Sequence, residues 1–180
     1  MEDSRTPHQS LVKVVRNLLL IALALLIQTS WAHSVRILDI GPDLVIIVLV
    51  YLGISGGQIE GTLYGFASGF LLDVYSPDTM GVNALANSVV GFSVGHFRAG
   101  VSVEDFRVQA LLLFLAVVLH DLIYFLFANI LSNPDAIVGL IIRFGFGTAL
   151  YTAVVGVGIS LVLSIRFNKG IYLDARRLYG

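Results

Sequence analysis

Residues 106–128 read FRVQALLLFLAVVLHDLIYFLFA, and this stretch decides the fold class because only Arg107 and Asp121 carry a formal charge in it. An α-helix of about 20 apolar residues crosses the roughly 30 Å hydrocarbon core of a bilayer. Other apolar segments lie at about 14–32, 42–54, 61–75, 84–97 and 135–165. The sequence therefore predicts an all-α polytopic membrane protein whose six transmembrane helices form a single integral membrane domain, residues 1–180.

The composition agrees with this prediction and argues against other classes. The chain is 57% hydrophobic and 13% charged, whereas soluble domains carry about 25% charged residues. A formal charge of -1 gives no basic field for nucleic acid. The absence of cysteine excludes disulfides and thiolate zinc sites, and the histidines at positions 8, 33, 96 and 120 lack metal-site spacing. We expect no metal and no cofactor.

The first apolar segment follows Arg5, Lys13 and Arg16, a pattern that is also typical of a secretory signal peptide. It is longer than the apolar core of such peptides, and no clear small-residue cleavage motif follows it at positions 30–33. We therefore predict a retained first span. The segments at 42–54 and 61–75 are short, about 20 Å as helices, so some helices are expected to be broken, tilted or sheltered by others.

Basic residues predict the orientation, because they are enriched in cytoplasmic loops. In the six-helix arrangement one side of the membrane holds Arg5, Lys13, Arg16, Arg98, Arg107, Arg166, Lys169, Arg176 and Arg177. The opposite side holds only Arg36, and Arg143 falls inside a span. Both termini are therefore expected in the cytoplasm. The basic tail, residues 166–180, either simply fixes this topology or binds anionic lipid or a protein.

Several short motifs together resemble one family. Residues 65–73 read GFASGFLLD and are followed by Ser76-Pro77, Gly81 and Asn83-Ala84-Leu85. The sequences PDL at 42–44, GGQIEG at 56–61 and VGF at 90–92 lie around them. This set, which covers most of the chain from Pro42 onward, resembles the rod shape-determining protein MreD family.

The resemblance implies a non-enzymatic subunit of the bacterial cell-elongation machinery in the inner membrane. It also implies a fold similar to the substrate-binding subunits of energy-coupling-factor vitamin transporters. The implied partners are MreC, the actin-like MreB, and the peptidoglycan synthase pair of RodA with a class B penicillin-binding protein. The alternative function is that of a transporter substrate-binding subunit, which would bind a vitamin and associate with an ATPase module.

Glycines recur at every fourth position at Gly57, Gly61, Gly65 and Gly69. On a helix they form a ridge without side chains, along which a second backbone can approach closely. Two hypotheses remain open for this ridge: packing within the chain, and docking of a partner's transmembrane helix such as that of MreC.

The motif G-x-S-x-G occurs at residues 53–57 and 91–95, and the second copy contains Ser93. A hydrolase places such a serine on a sharp turn between a strand and a helix. Both copies lie in apolar helical segments instead, so the sequence does not favour catalysis.

Ionisable side chains inside an apolar span are costly and are usually paired. In the predicted topology a polar cluster lies in the outer half of the membrane and opens outward. Its candidate members are Asp73, Asn83, Asn87, His120, Asp121 and Arg143. It would serve as a structural ion-pair network, as a surface that recognises a partner, or as a pocket for a small ligand.

Asp121 and Arg143 are expected to form an ion pair within this cluster. They lie at equal sequence distances on either side of Ser132, so two regular antiparallel helices would place them at the same depth. Asp73 would compete for the same guanidinium group.

Overall fold

The computed structural model describes residues 7–31, 40–100, 105–130 and 134–178, and within these ranges the chain is helical and contains no β-strand. The first five helices are α1 (Pro7–Trp31), α2 (Leu44–Gly56), α3 (Gln58–Val74), α4 (Val82–Phe97) and α5 (Phe106–Asn129). The sixth consists of α6 (Ile137–Leu140), a π-helical turn (Ile141–Gly145) and α7 (Phe146–Leu178), which follow one another without a break. The prediction of an all-α protein with six helices is confirmed.

Aspartates define two of the helix starts. The Asp43 carboxylate accepts a hydrogen bond from the Ile46 amide at 2.9 Å and so caps α2, and the Asp105 carboxylate accepts one from the Arg107 amide at 2.8 Å and caps α5. A side-chain acceptor at this position satisfies a free amide of the first turn. Pro42 therefore precedes the helix, and the expectation that the second helix begins with it is wrong. The sequence also predicts a capping box at Ser102 with Asp105 before the fifth helix and a cap at Asn133 before Pro134. Ser102 and Asn133 lie outside the described residues.

The hydrophobic core is centred on α2. Ile46, Leu49 and Leu52 of this helix are at most 2% exposed. The helix contacts α1, α3, α4, α5 and α7, and the core residues that these neighbours contribute include Ile21, Val90, Val117 and Ala149. An apolar helix with five helical neighbours is the expected central element of a bundle.

The outside of the bundle is also apolar. Leu19 on α1, Leu111 on α5 and Leu150 on α7 are each more than half exposed. Three helical segments are long and apolar enough to cross a membrane, namely Leu11–Ser30, Phe106–Asn129 and Ile137–Val162. So much exposed apolar surface is atypical of a soluble monomer and fits a protein surrounded by lipid. The helix α2 is a shorter apolar element.

Candidate functional site

The glycine ridge of α3 packs directly against α4. A Cβ atom added to Gly61 would overlap the carbonyl of Gly91, and one added to Gly65 would overlap the carbonyl of Asn87. The same holds for Gly69 against the carbonyl of Asn83. Gly57, the first member, does not belong to α3: it has a positive φ of 83° and joins α2 to α3. The backbone of α4 thus occupies the ridge, which leaves no room there for a partner's helix.

At the end of this helix pair, Asp73 of α3 caps the start of α4. One carboxylate oxygen accepts hydrogen bonds from the Asn83 amide at 3.0 Å and the Asn83 side chain at 2.9 Å, and the other accepts one from the Ala84 amide at 2.9 Å. Asp73 is 0% exposed. The partial positive charge of a helix N-terminus favours a carboxylate at this position. The apparent functional acid of α3 therefore has a structural role between two helices.

One turn deeper, Asn87 donates a hydrogen bond to the Ser68 hydroxyl at 3.3 Å, and that hydroxyl bonds to the Gly65 carbonyl at 3.0 Å. Asn87 and Ser68 are both 0% exposed. The Asn87 side-chain oxygen has no hydrogen-bond partner among the described residues.

The second polar group lies where α5 meets α2 and α7. His120 Nδ1 lies 2.9 Å from the Asp121 carboxylate, and its ring stacks on Tyr124 with the centroids 6.0 Å apart. The Asp43 amide donates to the Thr152 hydroxyl at 2.9 Å.

The structure therefore brings five of the six candidate residues to one end of the bundle. Asp73, Asn83, Asn87, His120 and Asp121 are each at most 9% exposed, so they are buried between helices and do not line an open surface. Asp43, Thr152 and Ser68 are further polar residues of this cluster, and they are not among the candidates predicted from the sequence. An aspartate directly before an apolar run is a capping signal that identifies Asp43, but no local signal identifies Thr152 or Ser68.

Arg143, the sixth candidate, is exposed, and the expected Asp121–Arg143 ion pair does not form. The neighbour of Asp121 on the last helix is Gly145, where an added Cβ would lie 3.5 Å from the Asp121 Cβ atom. Arg143 lies in the π-helical turn, and its guanidinium carbon is 5.2 Å from the centre of the Phe144 ring. Successive helical residues are about 100° apart around the axis, so Arg143, two residues before Gly145, points to nearly the opposite side of the helix. Equal depth therefore did not produce contact.

A further set of polar contacts at the opposite end of the bundle joins α1 to α3. The Lys13 ammonium lies 2.7 Å from the Glu60 carboxylate. One turn along, Asn17 donates to the Tyr64 hydroxyl at 3.2 Å. Asn17 is 2% exposed and Tyr64 is 7% exposed. Lys13, one of the basic residues that predict the orientation, thus also connects two helices.

Tyr64→Phe should lower the free energy of unfolding by about 1–3 kcal/mol, because the buried Asn17 amide loses its acceptor. Tyr51→Phe is the matched control, since Tyr51 is 57% exposed. Thermal unfolding in detergent measures both variants. Equal midpoints would show that the Asn17–Tyr64 hydrogen bond contributes nothing to stability.

The two G-x-S-x-G serines lack the geometry of a hydrolase nucleophile. Ser55 lies in α2 and donates to the Tyr51 carbonyl at 2.8 Å. Ser93 lies in α4 and donates to the Val89 carbonyl at 2.8 Å. Each hydroxyl therefore bonds back to its own helix, the usual behaviour of serine inside an apolar helix, and neither stands on the strand-to-helix turn that the motif requires.

Comparison with known proteins agrees with the resemblance noted in the sequence. No curated protein matches the chain, and no solved structure does. The family model described as rod shape-determining protein MreD matches residues 8–167. This range includes α2 to α5 entirely, together with most of α1 and the apolar part of α7. The match extends over most of the 180 residues, and the chain therefore belongs to the MreD family of rod shape-determining membrane proteins.

Proposed function

We propose that this protein is a non-catalytic scaffold subunit of the bacterial cell-elongation machinery that binds MreC and supports peptidoglycan synthesis. The observation that carries the proposal is the family match over residues 8–167. RodA, a class B penicillin-binding protein and MreB are proposed as further members of the same assembly. The protein's own contribution is to hold partners in the membrane, since its serines and buried acids are engaged in contacts between and within helices.

All six helices are proposed to lie in the inner membrane, with both termini in the cytoplasm. The helices α2, α3 and α4 have 13, 17 and 16 residues and at about 1.5 Å per residue fall short of the roughly 30 Å core. The longer helices α1, α5 and α7 contact this short central group, which supports a fold similar to that of the energy-coupling-factor substrate-binding subunits. The excess of Lys and Arg at the end that holds Lys13 and Arg98 supports the orientation.

The test is affinity purification of the full chain from bacterial membranes, with identification of both proteins and small molecules. We expect MreC to copurify in a fixed ratio and no vitamin to be retained. A tightly bound vitamin together with an ATPase module, and no MreC, would contradict the scaffold proposal. That result would favour the transporter alternative, which no observation of the fold singles out.

A further inference from the structure

Arg143 is placed unusually for a charged residue of a membrane helix. It is exposed and lies within the candidate span Ile137–Val162. It lies six positions after Ile137, which corresponds to a depth of about 9 Å below the start of the helix. The ion pairs found in the described part of the chain do not include it. Charged residues inside spans almost always face the protein interior or water, so a monomer leaves Arg143 incompletely accommodated.

The interior of the bundle has no room for the Arg143 side chain. The inward face of the last helix consists of small residues that pack closely, including Gly145, Ala149 and Gly156. An added Cβ at Gly145 would touch Asp121, and one at Gly156 would overlap Leu113. The carboxylates nearest in depth are already engaged, because Asp121 contacts His120 and Asp73 caps α4. Arg143 lies two residues before Gly145 in the π-helical turn and so points away from this packed face, and such turns are frequent at functional sites.

A continuous apolar stripe surrounds Arg143 on the outside of the bundle. Val138, Ile142, Phe146 and Leu150 recur at every fourth position and are 65%, 62%, 49% and 63% exposed. Beside them, an added Cβ at Gly139 would meet nothing within 4 Å. A second helix can pack along such a stripe. Similar stripes on α1 and α5 face lipid, but this one also presents a cation away from the helix end.

We propose that the stripe Val138, Ile142, Phe146 and Leu150, with Arg143 beside it, docks the transmembrane helix of a single-span partner that carries a carboxylate at the depth of Arg143. Charge complementarity identifies the occupant: burial of the guanidinium against a carboxylate removes the cost of an unpaired charge in the span. A lipid phosphate is the competing occupant, because a long arginine side chain can reach the headgroups, but a phosphate does not require the apolar stripe. That the partner is MreC rests on the proposed function.

The experiment uses the full chain co-expressed with MreC in membranes. A photo-crosslinking amino acid replaces Ile142 and, in the matched control, Leu115, which is 53% exposed on α5. We expect an MreC adduct from position 142 and none from position 115. Arg143→Leu should reduce both the adduct and the copurified MreC by about tenfold or more, since removing one member of a buried charge pair weakens an interface strongly. Arg143→Lys should retain part of both signals.

The outcomes separate this inference from the proposed function. If Arg143→Leu leaves the copurification of MreC unchanged, the inference is overturned but the proposed function is not. The same conclusion follows if the crosslinker at position 142 forms adducts with phospholipid alone. A fall in the unfolding midpoint of the isolated Arg143→Leu protein as large as that expected for Asp73→Leu also overturns it, because loss of the exposed contact between Arg143 and Phe144 alone should cost little. If wild-type protein does not bind MreC, the function fails. In that case the inference requires a crosslinked adduct with another single-span protein. Arg143→Glu should abolish this adduct, and replacing the acidic residue of the partner with lysine should restore it.

Discussion

Gly65→Leu should prevent α3 and α4 from packing together and should sharply reduce accumulation of the protein in the membrane. The Cβ atom alone would already overlap the Asn87 carbonyl, and backbone atoms cannot move aside as a flexible side chain can. Even Gly65→Ala should lower the free energy of unfolding by about 1–3 kcal/mol, the usual effect of overpacking. This loss should appear although alanine favours a helix by about 1 kcal/mol over glycine.

The matched control for Gly65→Ala is Gly158→Ala. Gly158 is also helical, but an added Cβ there would meet nothing within 4 Å, so only the helix propensity changes and stability should rise slightly. Thermal unfolding in detergent and membrane abundance are the two measurements. If Gly65→Ala and Gly158→Ala behave alike, the close contact between α3 and α4 is wrong. Normal abundance of Gly65→Leu with selective loss of MreC would instead show that a partner uses the ridge.

Asp73→Leu is expected to destabilise the protein by several kcal/mol. The substitution removes the acceptor of three hydrogen bonds from Asn83 and Ala84, and each buried donor left without a partner costs about 1–3 kcal/mol. Asp73→Asn should fall between Leu and wild type, because an amide keeps one acceptor oxygen but loses the charge that favours a helix N-terminus. Unfolding midpoints in detergent give the order of the variants.

Asp78→Asn is the control for the loss of a carboxylate in this region. Asp78 is exposed in the short turn Pro77–Thr79, between α3 and α4, so its removal should shift the midpoint little. An Asp73→Asn variant as stable as wild type would mean that the charge is unnecessary and that the amide alone caps α4. An Asp73→Leu variant as stable as wild type would exclude the capping role altogether.

Local signals in the sequence were sufficient for the helices themselves. The expected segment 106–128 corresponds to α5, Phe106–Asn129, and the expected segment 84–97 corresponds to α4, Val82–Phe97. The length of an apolar run and the capping residue before it both act within a few residues. The family was equally accessible, because its motifs are short and contiguous. The start of the second helix was predicted less accurately: the expected segment begins at Pro42, whereas α2 begins at Leu44, after the capping residue Asp43.

Which sides of these helices face one another was decided only by the tertiary structure. The depth of a residue follows from counting along a helix, and counting predicts a shared depth for Asp73, Asn83, Asn87, His120 and Asp121, all of which the structure buries between helices. Direction around the axis changes by about 100° with each residue, so Arg143, two residues before the Gly145 that faces Asp121, points away from Asp121. Contacts such as that between Asp43 and Thr152 join residues 109 positions apart. They depend on how separate helices pack, and neither hydropathy nor a capping signal contains that information.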